Sequence, residues 1–106
     1  MEKIITFSIA AYNVEKYLKK LLDSIIEETL LNKIEILIIN DGSNDKTIEI
    51  AKDYKKKYLD TIKVIDKENG GHGSTINVGI KYANGKYFRA IDGDDWVNTN
   101  DLKKLI

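Results

Sequence analysis

The sequence predicts an α/β domain, a mainly parallel sheet with helices on both faces, and three observations carry that expectation. Short β-branched runs alternate with stretches whose apolar residues recur at helical spacing. The first two runs, Ile4 to Ala10 and Ile34 to Ile39, are apolar at almost every position, the composition of strands buried on both faces. Each polar or glycine-rich cluster follows a strand, and in such sheets ligands bind outside the carboxyl ends of the strands. A chain of 106 residues suits one domain with one core.

After the first run, Tyr17, Leu18, Leu21, Leu22, Ile25 and Ile26 fall at helical spacing from Val14, with Asn13 available as N-cap. The second strand, Ile34 to Ile39, leads into the turn-and-cap cluster Asn40-Asp41-Gly42-Ser43-Asn44-Asp45 and a helix with Ile48, Ala51, Tyr54 and Tyr58 inward. Ile62 to Ile65 reads as a third strand, Lys67 to Ser74 as a glycine-rich loop, and Thr75 to Ala83 as a helix carrying Ile76, Ile80 and Ala83, stopped at Asn84-Gly85. Tyr87, Phe88 and Ile91 mark a fourth strand, and Asn98 or Thr99 can cap a last helix holding Leu102 and Leu105. Four such strands imply right-handed crossovers.

Composition excludes several classes. Lys plus Arg (17) balances Asp plus Glu (17), so no overall field favours nucleic acid or an anionic membrane. There is no cysteine, hence no disulfide framework and no thiolate metal site. The N-terminal residues pass straight into a strand-like run, with no signal-peptide pattern and no stretch of membrane-spanning length, and the expected location is cytoplasmic.

The chemistry concentrates in the turns. Asp92, Asp94 and Asp95 arrive around Gly93 at the end of the fourth strand, where their like charges repel unless a cation is present. Oxygen donors without His or Cys favour Mg2+ or Mn2+, which take further ligands from a substrate's phosphates. The plainer reading is a solvated acidic turn. Asp41 ends a buried strand, where its carboxylate can accept a hydrogen bond from a ring N–H of a base, and Tyr12 offers a flat face for stacking. A turn and helix cap is the plainer role for Asp41 and Ser43, and packing on the first helix for Tyr12. Asn69-Gly70-Gly71-His72-Gly73 lets backbone approach a ligand, with a helix N-terminus near Ser74 to help an anion. It is neither a dinucleotide fingerprint nor a P-loop, because Ile76 stands at the third glycine position and no Gly-Lys-Ser/Thr follows. The loop residue His72 is free to sit in the site, a solvated or capping role being the plainer reading, and Trp96 reads as a core anchor or as a wall of the site.

Taken together these motifs resemble glycosyltransferase family 2, inverting transferases of the nucleotide-diphospho-sugar transferase (GT-A) fold with a Rossmann-like sheet. Phe7 to Leu18 is similar to that family's first strand and turn, and Glu35 to Thr47 to its nucleotide-binding turn. Asn69-Gly70-Gly71 with Asn77-Val78-Gly79-Ile80, then Ala83 to Tyr87, resembles the approach to the metal motif, and Asp92-Gly93-Asp94-Asp95-Trp96 falls where the family carries Asp-x-Asp. The resemblance implies a nucleoside diphosphate sugar donor, a uridine diphosphate sugar first, and a saccharide or other hydroxyl acceptor. It implies that Asp41 holds the pyrimidine base beside Tyr12 and the backbone at Ala10, with Lys67, Gly71, Asn77, Asp92 and Gly93 also touching the donor. The metal, Mg2+ or Mn2+, would fall to Asp92, Asp94 and Asp95.

The chain departs from the family in having Ala10 where proline is usual and Ile76 where many members have arginine, so a positive contact to the diphosphate passes to Lys67, His72 or Arg89. The resemblance covers the donor-binding half. Residues 1–106 are therefore expected to be the N-terminal nucleotide-sugar-binding part of a transferase domain, truncated before the acceptor region. The acidic catalytic base of the family is expected beyond Ile106, and no residue of this sequence is assigned to that role. A sheet without later strands would leave an edge on which a homodimer could form, and the full-length protein would act in the cytoplasm or at the inner face of the membrane, in surface polysaccharide or glycoconjugate synthesis. Alternatives are a non-catalytic nucleotide-binding or regulatory domain, a nucleotidyltransferase, which lacks its basic phosphate loop here, and a phosphotransfer domain, which lacks its lone Asp with a partnering Lys on a later strand.

Overall fold

The two isoleucine-rich runs, Ile5–Ala11 (β1) and Ile34–Asp41 (β2), form the centre of a four-stranded sheet. The computed structural model describes residues 3–26 and 33–93. Within them follow helix α1 (Leu18–Ile25) after β1, then α2 (Thr47–Lys57) after β2, β3 (Ile62–Lys67), α3 (His72–Tyr82) and β4 (Tyr87–Asp92). The strand order is β3-β2-β1-β4 and every neighbouring pair is parallel. All of β2 is buried, and so is all of β1 except Ala10, as expected of strands covered on both faces.

Side chains alternate across the sheet. On one face Phe7, Ile9 and Ala11 of β1 meet Ile36 and Ile38 of β2, Ile62 of β3 and Ile91 of β4, and this face packs on Leu18, Leu21, Leu22 and Ile25 of α1 and on Ala51 and Tyr54 of α2. The Tyr54 hydroxyl donates to Asp23 Oδ1 at 2.6 Å, joining the two helices, and burial followed by that carboxylate pushes its pKa up. On the other face Thr6, Ser8, Glu35, Leu37 and Ile39 lie under α3. Helix and strand come so close there that a Cβ added at Gly79 would collide with Ser8 Oγ, so this position accepts only glycine without displacing the helix.

The elements differ from the sequence reading in detail. Helix α1 begins at Leu18, not Val14, because residues 14–17 form turns in which the Tyr17 and Leu18 N–H groups both donate to Val14 O at 2.9 Å. Asn13 is not its cap; it takes a left-handed conformation, φ 51°. Helix α3 begins at His72, and its phase is set by the approach of Gly79 to β1, so Thr75 and Gly79 face the sheet while Ile80 is 59% exposed. In α2, Thr47 is buried in place of Ile48, which is half-buried. Asp94, Asp95, Trp96 and the expected last helix, from Asn98 or Thr99 through Leu105, lie outside the described residues. Ile106, beyond which the catalytic base is expected, lies outside them too.

Connections β1–α1–β2 and β2–α2–β3 step outward in one direction with both helices on one face. The return through α3 then crosses the other face to set β4 on the far side of β1. The winding reverses between β1 and β4, and such a switch point opens a crevice at the carboxyl ends of the strands.

Candidate functional site

Two loops at this carboxyl edge are tied together by side chains that the sequence offered as separate caps. The Asn13 N–H donates to Ser43 Oγ at 3.0 Å, Ser43 Oγ donates to Ala11 O at 3.3 Å, and the Asn44 N–H donates to Asn13 Oδ1 at 2.7 Å. The Val14 N–H donates to Thr47 Oγ1 at 2.9 Å, while Asp45 accepts from the Thr47 and Glu15 N–H groups at 2.9 and 3.3 Å. Burial pushes the Asp45 carboxyl up, and these bonds with the Thr47 hydroxyl outweigh it and hold the pKa below its usual value. The turn carrying Tyr12 is thus fixed against the turn that follows Asp41.

Asp41 is 4% exposed and is held from three directions. Its Oδ1 accepts from Lys67 Nζ at 2.7 Å and from the Gly70 N–H at 2.9 Å, and its Oδ2 accepts from the Gly71 N–H at 3.1 Å. Gly71 sits at φ 87°, a conformation that favours glycine. The Asn69 side-chain amide closes the arrangement by donating to Asp41 O at 3.1 Å. Burial raises the carboxyl pKa, but Lys67 and the two loop N–H groups together hold it below the ordinary range.

This corrects the reading of the glycine-rich loop. Its backbone donors at Gly70 and Gly71 wrap the protein's own carboxylate, and the N-terminus of α3 lies at His72, ahead of Ser74. Lys67, read as a donor contact, is mostly buried, pairs in register with Asp41 and also donates to Glu68 O at 2.6 Å, so it reaches the crevice through Asp41; the sequence reading missed this pairing of a strand-end Asp with a Lys on a later strand.

The crevice is a cavity of about 420 Å³, within the range of small-molecule sites. Ala10, Tyr12 and Val14 form one wall, Asp41, Asn69 and Gly71 another, and Thr75, Asp92 and Gly93 close it. Six of the eight residues expected to touch the donor therefore come together: Ala10, Tyr12, Asp41, Gly71, Asp92 and Gly93. Asn77, exposed in the second turn of α3, does not line it, and Arg89 lies mid-strand opposite Phe7. Val14 and Thr75 were not anticipated, since an apolar residue after a turn and a threonine inside a helix carry no signal of their own. Tyr12 is 48% exposed. The Gly93 N–H donates to Ala10 O at 2.9 Å, which carries the β1–β4 pairing to the cavity floor and leaves the exposed Asp92 at its rim.

Among the described residues no group of three or more His, Asp or Glu side chains is arranged to hold a metal ion. The described part of the acidic motif supplies one carboxylate, Asp92, at the cavity rim. That donor fits Mg2+ or Mn2+, hard cations bound through one or two carboxylates with the remaining positions left to water and phosphate.

The comparisons with known proteins agree with this fold. The sequence model of glycosyl transferase family 2 matches residues 6–106, and the chain belongs to that family. It is 40% identical over 105 residues to the uncharacterized glycosyltransferase EpsJ of Bacillus subtilis (strain 168), covering 99% of this chain and 30% of EpsJ. It is also 40% identical over 96 residues to the minor teichoic acid biosynthesis protein GgaB of the same organism, covering 90% of this chain and 11% of GgaB. Among solved structures it is similar to TarS 1-349 of S. aureus in complex with UDP-GlcNAc, at a TM-score of 0.84 and 32% identity, covering 97% of this chain and 30% of that one. The fold is the GT-A fold that the resemblance implied. The chain spans about a third or less of the length of these relatives. Among the described residues no helix is long and apolar enough to cross a membrane.

Proposed function

We propose that residues 1–106 are the donor-binding part of an inverting glycosyltransferase that moves a sugar from a uridine diphosphate donor to a saccharide or other hydroxyl acceptor in surface polysaccharide or glycoconjugate synthesis. The observation that carries this reading is Asp41, a buried carboxylate at the strand end that opens onto the cavity shared by Tyr12 and Asp92. A carboxylate offers roughly four lone-pair directions, and among the described residues Asp41 uses three of them, on Lys67, Gly70 and Gly71. The open one, on Oδ2, accepts a ring N–H of the base while Tyr12 covers the face of the ring. The UDP-GlcNAc complex of TarS and the teichoic acid role in the name of GgaB support the choice of donor and pathway class.

In this reading each residue has a task. Asp41 orients the base, Ala10 and Gly71 shape its slot, and Asp92 meets the ribose and diphosphate side. Asp92, with Asp94 and Asp95, would hold a divalent cation, which when bound would supply positive charge to neutralise the departing diphosphate. The acceptor oxygen forms the new bond at the anomeric carbon as the bond to the diphosphate oxygen breaks, and the acceptor's proton passes to an acidic base that we place beyond Ile106, in a part of the enzyme outside this chain. Calorimetric titration with UDP and a UDP-sugar, with and without Mn2+, tests the reading. Binding should strengthen with Mn2+, and Asp41→Ala should weaken it by about 1–3 kcal/mol, the cost of an unpaired buried N–H. Equal affinity in Asp41→Ala would remove the base pocket from this edge.

A further inference from the structure

Lys67 Nζ lies 2.7 Å from Asp41 Oδ1, and the same oxygen takes the Gly70 N–H at 2.9 Å, so both lone pairs of Oδ1 are engaged. Oδ2 takes only the Gly71 N–H among the described residues. The asymmetry is built in: Asp41 and Lys67 are register partners on β2 and β3, the lysine side chain is 17% exposed, and Glu68 O holds a second ammonium proton at 2.6 Å. Withdrawing the ammonium would leave two charges poorly solvated and unpaired.

We infer that Lys67 is a positioning residue that sets base selectivity, leaving Asp41 one acceptor toward the cavity and so favouring a base with one ring N–H over a base with two adjacent donors; this rests on Asp41 holding the base, as proposed above. Uracil presents a single N3–H between two carbonyls. Guanine presents N1–H beside its 2-amino group, a pair that matches both oxygens of a free carboxylate. With Oδ1 saturated, one of those donors is buried without a partner. Hypoxanthine has the guanine frame without the 2-amino group, so it separates donor count from ring size.

The test is calorimetry on the full chain at fixed Mn2+ with UDP, GDP and inosine diphosphate. Wild type should bind inosine diphosphate about tenfold more tightly than GDP, the worth of one hydrogen bond left unmade in a buried site. Lys67→Met frees a lone pair on Oδ1, and the ratio should collapse toward unity or invert, while Lys67→Arg, which keeps a cationic donor there, should restore it. The wild-type comparison needs no variant, so poor folding of Lys67→Met leaves the idea exposed to refutation. No advantage of inosine diphosphate over GDP in wild type overturns it, as does an unchanged ratio in Lys67→Met. UDP affinity unmoved by Asp41→Ala overturns the base pocket and this inference together; UDP affinity lost in Asp41→Ala with an unchanged ratio in Lys67→Met overturns this inference alone.

Discussion

Strand β2 carries two buried carboxylates on the same face, Glu35 at its amino end and Asp41 at its carboxyl end, 3% and 4% exposed. Their surroundings differ in one respect. Glu35 is saturated: Oε1 accepts from Thr6 Oγ1 at 2.9 Å and the Asn84 N–H at 2.8 Å, and Oε2 accepts from Asn84 Nδ2 at 3.0 Å and pairs with Lys63 Nζ at 3.1 Å. The Gly85 N–H donates in turn to Thr6 Oγ1 at 2.8 Å, so this network fastens the α3–β4 turn to the sheet. Asp41 has the same burial and a lysine of its own, but one lone pair remains on the oxygen that takes only Gly71, and a cavity adjoins it. A saturated buried carboxylate is a fastening; one left a bond short beside a cavity keeps an acceptor for the donor group proposed above.

The largest effect that would break this comparison is on stability at the amino end. Glu35→Ala strands the Thr6 hydroxyl and the Asn84 donors in a buried place and should cost about 3 kcal/mol in denaturant unfolding, while UDP affinity of the folded variant stays within about twofold of wild type. A loss of affinity without loss of stability would exchange the roles assigned to the two ends.

A smaller effect separates them by pH. At Glu35 burial raises the pKa, and the bonds from Asn84, Thr6 and Lys63 outweigh it and bring it below the ordinary value; Asp41 is lowered in the same sense. A lowered folded-state pKa contributes stability that is complete above the unfolded-state value and is lost as pH falls through the folded one. Stability should therefore decline below about pH 4.5, and the difference between wild type and Glu35→Gln should shrink over that window. A difference that stays constant from neutral pH down through that window would mean that Glu35 is not ionised in the fold.

Much of this architecture was legible in the sequence, because it rests on local pattern. Isoleucine-rich runs separated by helical periodicity pointed to the strands and their parallel pairing, and placing each polar cluster after a strand brought Tyr12, Asp41 and Asp92 to one edge. What was not legible depends on contacts between distant positions. Asn13 looked like a helix cap, yet its side chain accepts from Asn44 in the neighbouring loop. Ile80 looked inward, but the contact of Gly79 with Ser8 turned it to solvent. Glu35 read as one polar residue in an apolar run, and nothing near it in sequence foretold Asn84 as its partner. The glycine-rich loop looked open to a ligand because the chain does not show that Asp41, far upstream, takes its N–H groups first.

The central claim is that the open lone pair of Asp41 receives the N3–H of uracil, and it is tested most directly by comparing UDP with its N3-methyl analogue in wild type and in Asp41→Ala. Methylation removes the donor and places a methyl group against the carboxylate, so wild type should bind the analogue at least about tenfold more weakly than UDP. In Asp41→Ala the two nucleotides should bind alike. An analogue that binds wild type as tightly as UDP does, or a penalty that persists unchanged in Asp41→Ala, would contradict the account.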